Sequence, residues 1–151
     1  MKIKIEIVES IKENEIIVRC KEFNDEVSQV DKVLNDIIVK KNQIIFYKGD
    51  TEYFFPIENI LFFETESNSI SAHTVDDVFS VKYKLYELEE LLPGHFMRIS
   101  KSTILNINHI FSISRNLTAS SLVEFKNTHK KVYVSRYYYK PLKIKLLEKR
   151  K

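Results

Sequence analysis

Between residues 43 and 134 the apolar residues fall in runs too short for helices and too regular for coil. Gln43 to Tyr47, Glu52 to Pro56, Ile60 to Glu64, Ile70 to Thr74, Phe79 to Val81, Ile110 to Ser114, Ser121 to Phe125 and Lys131 to Val134 span three to five residues each, with polar stretches between them. Runs of this length, rich in Ile, Val, Phe and Tyr, predict short strands. A strand of this kind must bury one face, so a string of them limits the fold to small stacked antiparallel sheets. The composition agrees: ten Phe and eight Tyr favour strands. Lys48-Gly49-Asp50-Thr51 is a turn that uses one of only two glycines.

The period changes in three places. Val27, Val30, Val33, Leu34, Ile37 and Ile38 recur at helical spacing between Phe23 and Val39, with Asn24 or Asp25 as the cap. Leu85, Leu88, Leu91 and Leu92 mark a short helix closed by Pro93-Gly94. Tyr138, Leu142 and Leu146 share one face of a closing segment that Ser135 caps, and because Pro141 lacks an N–H the helix either begins there or runs distorted through it. Ahead of these, Lys2 to Val8 and Glu15 to Cys20 alternate like strands, with Ile3, Ile5 and Ile7 facing a core and Cys20 at least half-buried. The expected architecture is mainly β, α+β overall: a strand–strand–helix element over 1–41, then a β-rich domain over 42–151 with one short helix and a C-terminal helical segment.

Several function classes are unsupported. No run of 18 uncharged apolar residues exists and the N-terminus is charged too early for a signal peptide, so a cytoplasmic protein is expected. The single cysteine forms neither an internal disulfide nor a thiolate metal site. His73, His95, His109 and His129 lack the i, i+4 spacing of a helical metal site. With glycine only at 49 and 94 there is no phosphate-binding loop, and the adjacent Glu89 and Glu90 point apart on their helix. No catalytic residue, metal or cofactor is expected.

The charge pattern is more informative. Residues 51–95 carry 2 basic and 9 acidic side chains, whereas residues 96–151 carry 13 basic and 2 acidic, a net of +11. A local field of that size attracts polyanions. It begins at Phe96-Met97-Arg98-Ile99-Ser100-Lys101-Ser102-Thr103-Ile104-Leu105, read here as one extended strand. Alternation puts Arg98, Ser100 and Ser102 on one side and Met97, Ile99 and Lys101 on the other. Such a cationic, hydroxyl-rich ladder suits phosphate oxygens and base edges, and equally the polar face of an edge strand. Two loops join it: Ser67-Asn68-Ser69 between apolar strands, and Ser135-Arg136 where a strand opens into a helix. Arg136 can hold guanine or phosphate through two bonds, and the helix start offers free amides. Tyr137-Tyr138-Tyr139 resembles a base-stacking run, but on a helix the three rings diverge and at least one must be core.

Residues from about 43 to 147 resemble a LytTR-type DNA-binding domain. Phe55-Pro56-Ile57-Glu58-Asn59-Ile60-Leu61-Phe62-Phe63-Glu64 is similar to that family's opening strand, Phe96 to Asn106 to its central F-x-R-x-H/S-K-S-x-x-V/I-N strand, and Val132-Tyr133-Val134-Ser135-Arg136-Tyr137-Tyr138 to its V-S-R-x-Y junction. The resemblance implies loops inserted into successive major grooves of bent double-stranded DNA. It implies base reading by Lys101, by Arg136, and by Asn68 or Ser69, with Arg98, Ser100, Ser102 and Ser135 contacting phosphates or supporting the readers. Ser100 stands where the family often has His. The first 40 residues resemble the leader of short stand-alone regulators, so no receiver domain is expected. The partners implied are promoter DNA with paired direct repeats, a second copy of the chain, a small restraining membrane protein and, indirectly, RNA polymerase. The competing reading is a non-catalytic module whose basic third docks on an acidic protein.

Overall fold

A computed structural model describes residues 1–41 and 43–149. The chain divides into two units, Met1–Lys41 and Asn42–Lys151. The first contains helix α1, Asp25–Lys41. Asn24 starts it: its Oδ1 accepts from the Val27 amide at 3.0 Å, and Asp25 and Glu26 place negative charge in the first turn. The strands expected over 2–8 and 15–20 do not form. Those residues have no strand pairing, Ile3, Ile5 and Ile7 are 93%, 86% and 94% exposed, and Cys20 is exposed. Alternation stabilises a strand only when a neighbour takes its backbone bonds and a layer covers its apolar face. This unit supplies neither to that segment.

The second unit holds two antiparallel sheets. The larger has seven strands in the order β2-β1-β5-β4-β3-β7-β6: β1 Phe46–Lys48, β2 Thr51–Tyr53, β3 Phe62–Glu66, β4 Ser69–His73, β5 Val78–Val81, β6 Phe96–Arg98 and β7 Thr103–Asn106. The smaller has three, β10-β9-β8: β8 Ile110–Ser114, β9 Ser121–Phe125 and β10 Lys131–Val134. Helix α2, Leu85–Leu91, lies between β5 and β6, and α3, Arg136–Lys149, closes the unit. Gly49 takes a φ of +56° in the β1–β2 turn, as a glycine can without strain. Among the described residues no helix is long and apolar enough to cross a membrane.

The core arrangement is visible in two neighbouring residues of β3. Phe62 and Phe63 point to opposite faces of the sheet, and both are buried. Phe63 joins Phe46, Ile70, Phe79, Phe96 and Ile104 in a core that Leu85 and Leu88 of α2 complete. Phe62 joins Leu105, Val123, Phe125, Val132, Val134 and Leu142 beneath the small sheet and α3. The large sheet is therefore covered on both sides at its centre. Each such side chain contributes about 1.5–3 kcal/mol by leaving water. The fully buried Asn106 is satisfied: its Nδ2 donates to Ile60 O (3.1 Å) and its Oδ1 accepts from Asn108 N (3.0 Å).

The Phe96–Leu105 stretch is not one extended strand. It folds into a hairpin in which Phe96, Met97 and Arg98 pair with Asn106, Leu105 and Ile104. Ser100, Lys101 and Ser102 supply no apolar side chain to anchor a strand, and their hydroxyls and carbonyls find local partners instead. Ser100 Oγ accepts from the Ser102 amide (3.2 Å), and the Ile99 amide closes the turn onto Thr103 O (3.0 Å).

Candidate nucleic-acid interface

Three exposed turns are tied together by main-chain bonds. The middle one is the β6–β7 turn. On one side of it the Thr65 amide of β3 donates to Ser102 O (2.8 Å). On the other, the Ser135 amide, one residue before α3, donates to Ile99 O (2.9 Å). Two residues beyond Thr65 the β3–β4 hairpin reverses through Ser67 and Asn68, since Glu66 pairs with Ser69. Ser67 takes a φ of +52°, an uncommon conformation for a residue with a Cβ. Ser69 Oγ donates to Glu66 O (3.2 Å), bracing the same turn.

Asn68, Ser69, Lys101, Ser102 and Arg136 are exposed, whereas Ser100 and Ser135 are half-buried. Ending β6 at Arg98 removes the alternation that would have set Lys101 against the other polar residues, because Lys101 sits at the turn itself. Arg98 differs from the rest. Its Nε donates to Ser100 O (2.7 Å), one terminal nitrogen to Lys101 O and the other to Glu89 Oε2 (3.0 Å). Its guanidinium is committed to holding the turn. Ser100 likewise uses its hydroxyl within the turn, facing Ser102 Oγ at 3.3 Å.

The Arg136 end is built by packing. Leu142 is fully buried under the small sheet, with Tyr138, Tyr139 and Leu146 packed beside it, and this fixes α3 against the second core. Tyr138 N donates to Ser135 O (3.0 Å), tightening the first turn. Tyr137 is 80% exposed, while the Arg115 guanidinium lies over the Tyr139 ring at 4.8 Å. The Tyr run thus divides between core and solvent.

Beneath the Ser67–Asn68 turn lies a group that sequence spacing did not reveal. Glu64, Glu66 and His73 place their ligand atoms within 4.8 Å of one another. Burial raises the Glu64 carboxyl, and Glu66 beside it adds to the rise. Burial, and then Lys130, push His73 down to about 4, against the opposing pull of Glu66. The imidazole is neutral at pH 7. The signal was a Glu-x-Glu strand followed across a two-residue turn by a His in register, a pattern readable only once that register is known.

The sequence from 50 to 147 matches the family model described as the LytTr DNA-binding domain. An uncharacterised HTH-type transcriptional regulator of Staphylococcus aureus strain NCTC 8325 is 30% identical over 146 residues, 97% of this chain and 98% of its own length. Its counterpart in strain MRSA252 is 29% identical over the same span. Among solved structures, the LytTr DNA-binding domain of a Bacillus cereus protein described as a methyl-accepting/DNA response regulator superposes with a TM-score of 0.62 at 27% identity, covering 70% of this chain and 96% of that one. Among the described residues, strands separate α1 from α2 and α2 from α3, so no two α-helices follow one another directly as the HTH in the relatives' name would require.

Proposed function

Because the chain belongs to the LytTr DNA-binding domain family, we propose that it is a sequence-specific transcription regulator whose three tied turns enter successive major grooves of double-stranded DNA. The observation that carries this reading is the pair of main-chain bonds, Thr65 N to Ser102 O and Ser135 N to Ile99 O, which hold three polar turns in a fixed relation. Groove reading needs that rigidity, since phosphate contacts set register before base contacts specify. Lys101 and Arg136 are the base readers, and Asn68 and Ser69 act in the first turn. Ser102 and Ser135 meet phosphates. Arg98 and Ser100 are positioning residues that shape the middle turn. The exposed basic side chains of α3, Arg136, Lys140 and Lys143, supply the attraction to DNA.

The regulator acts in the cytoplasm on promoters with paired direct repeats, two copies per site, and reaches RNA polymerase through the DNA. Residues 1–41 serve as an interaction element, for which a second copy or a small membrane protein are the partner types. Selection of bound sequences from random DNA tests the central reading: a recurring consensus is expected, and a protein that instead docks on an acidic partner selects none. In gel shifts on the selected site, Arg136→Ala should cost about 1–3 kcal/mol and relax base preference at one position. Affinity should fall steeply with salt. Unchanged affinity in both Arg136→Ala and Lys101→Ala would remove these residues from the interface.

A further inference from the structure

Glu64, Glu66 and His73 share one face of the β3–β4 hairpin. The two-residue period puts both carboxylates on the Phe62 side of β3, and the Phe62–His73 pairing brings the imidazole to the same side from β4. His73 Nε2 lies 3.9 Å from Glu64 Oε2 and 3.9 Å from Glu66 Oε1. That nitrogen is buried and has no hydrogen-bond partner. Most buried polar atoms are satisfied, and one left bare needs an explanation. The ring cannot easily turn away, being stacked on Phe62 with centroids 4.2 Å apart and planes within 14°.

We propose that Glu64, Glu66 and His73 form a binding site for a divalent metal ion of the zinc or manganese class. One imidazole nitrogen and two carboxylate oxygens are a borderline donor set that suits these ions, whereas calcium and magnesium take oxygen donors. Bonds of about 2.1 Å to a tetrahedral ion bring donors to roughly 3.4 Å from one another, about half an ångström closer than each carboxylate stands to the imidazole here, with all three donors now within 4.8 Å. The carboxylates can make that adjustment, with side chains 39% and 57% exposed. The remaining coordination positions go to water.

A ligand imidazole binds in its neutral form, through the bare Nε2 that faces both carboxylates. Lys130 opposes the ion. Its Nζ stands 3.4 Å from His73 Nδ1 and donates to Asp77 O at 2.6 Å. Metal on Nε2 places the ring proton on Nδ1, so Lys130 retains only its Asp77 bond. Its positive charge remains close to the site and weakens binding. The ion also neutralises the carboxylates at the base of the Ser67–Asn68 turn, where negative charge repels phosphate. Metal should therefore strengthen DNA binding, a consequence that rests on the proposed DNA reading.

The full chain, free of DNA, is titrated with Zn2+ by calorimetry and with Mn2+ by electron paramagnetic resonance. One equivalent should bind, with nitrogen coupling to Mn2+. Glu66→Gln and His73→Gln should each weaken binding at least ten-fold, His73→Gln should abolish the nitrogen coupling, and Lys130→Met should tighten binding several-fold. Glu66 is exposed, so its variant remains informative if His73→Gln misfolds. Absence of saturable binding, or binding unchanged in Glu66→Gln and Lys130→Met, overturns the site, even in a protein that binds DNA normally. Gel shifts with Zn2+ and with chelator should differ several-fold for the wild-type chain and not for Glu66→Gln. Metal that binds without changing DNA affinity overturns the coupling and leaves the site standing.

Discussion

Lys2 to Val8 and Lys131 to Val134 follow the same rule in sequence and have opposite fates. Both alternate a polar or aromatic residue with Ile or Val. In β10, Val132 and Val134 are 5% and 0% exposed and Tyr133 faces outward. In the N-terminal segment every alternating Ile stays in solvent and no ladder forms. What separates them is the surroundings: β10 pairs with β9 over four residues and is covered by Leu142. A period-two pattern states which face would be buried; whether it is buried depends on the rest of the unit.

The contrast can be tested from its strongest side downward. Phe63→Ala removes a fully buried ring from the central strand and should destabilise the second unit by about 3–5 kcal/mol in denaturant unfolding. A loss below 1 kcal/mol would mean that the β3 core is not what holds this unit together. Arg98→Met keeps the stem and removes three hydrogen bonds, two of them to carbonyls of the middle turn. We expect about 1–3 kcal/mol lost in stability, with DNA affinity reduced through disorder of the turn while the salt slope changes little. A fall of the salt slope by a full phosphate contact would instead make Arg98 a DNA ligand. A smaller effect comes from His95, held below its usual value chiefly by burial. The unfolded chain then takes up a proton that the folded chain resists, so stability should decline as pH falls below about 6.5. In His95→Gln that part of the decline should vanish from the unfolding midpoint measured against pH. Smallest of all, Ile5→Ser should move stability by less than about 0.5 kcal/mol. A cost near that of a core residue would show that Ile5 is buried in solution, and the contrast with β10 would collapse.

Much of the second unit was legible because its signals are local. Alternation located the strands, the leucine spacing located α2, and Gly49 marked its turn. The ends of strands were less clear, since Pro56 and the polar loops mark boundaries only loosely. The β6–β7 hairpin escaped notice because it lacks a glycine or Asn-Gly turn. Its reversal depends on Arg98 reaching carbonyls two and three residues ahead and on Glu89 from another element. The proposed contact residues could be named from their motifs, but the bonds joining their turns run between main-chain atoms far apart in sequence. The Glu64–Glu66–His73 group needed the register of a hairpin, which side-chain identity alone does not specify.

Phe62 and Phe63 have a consequence for how such a chain can vary over generations. Because consecutive rings serve opposite cores, inserting or deleting one residue within β3 between these rings and their pairing partners would exchange the inside of both layers at once. Substitutions at Asn68 or Ser69 leave that frame untouched. The turn carries neither ring, so its exposed side chains can be replaced without disturbing either core.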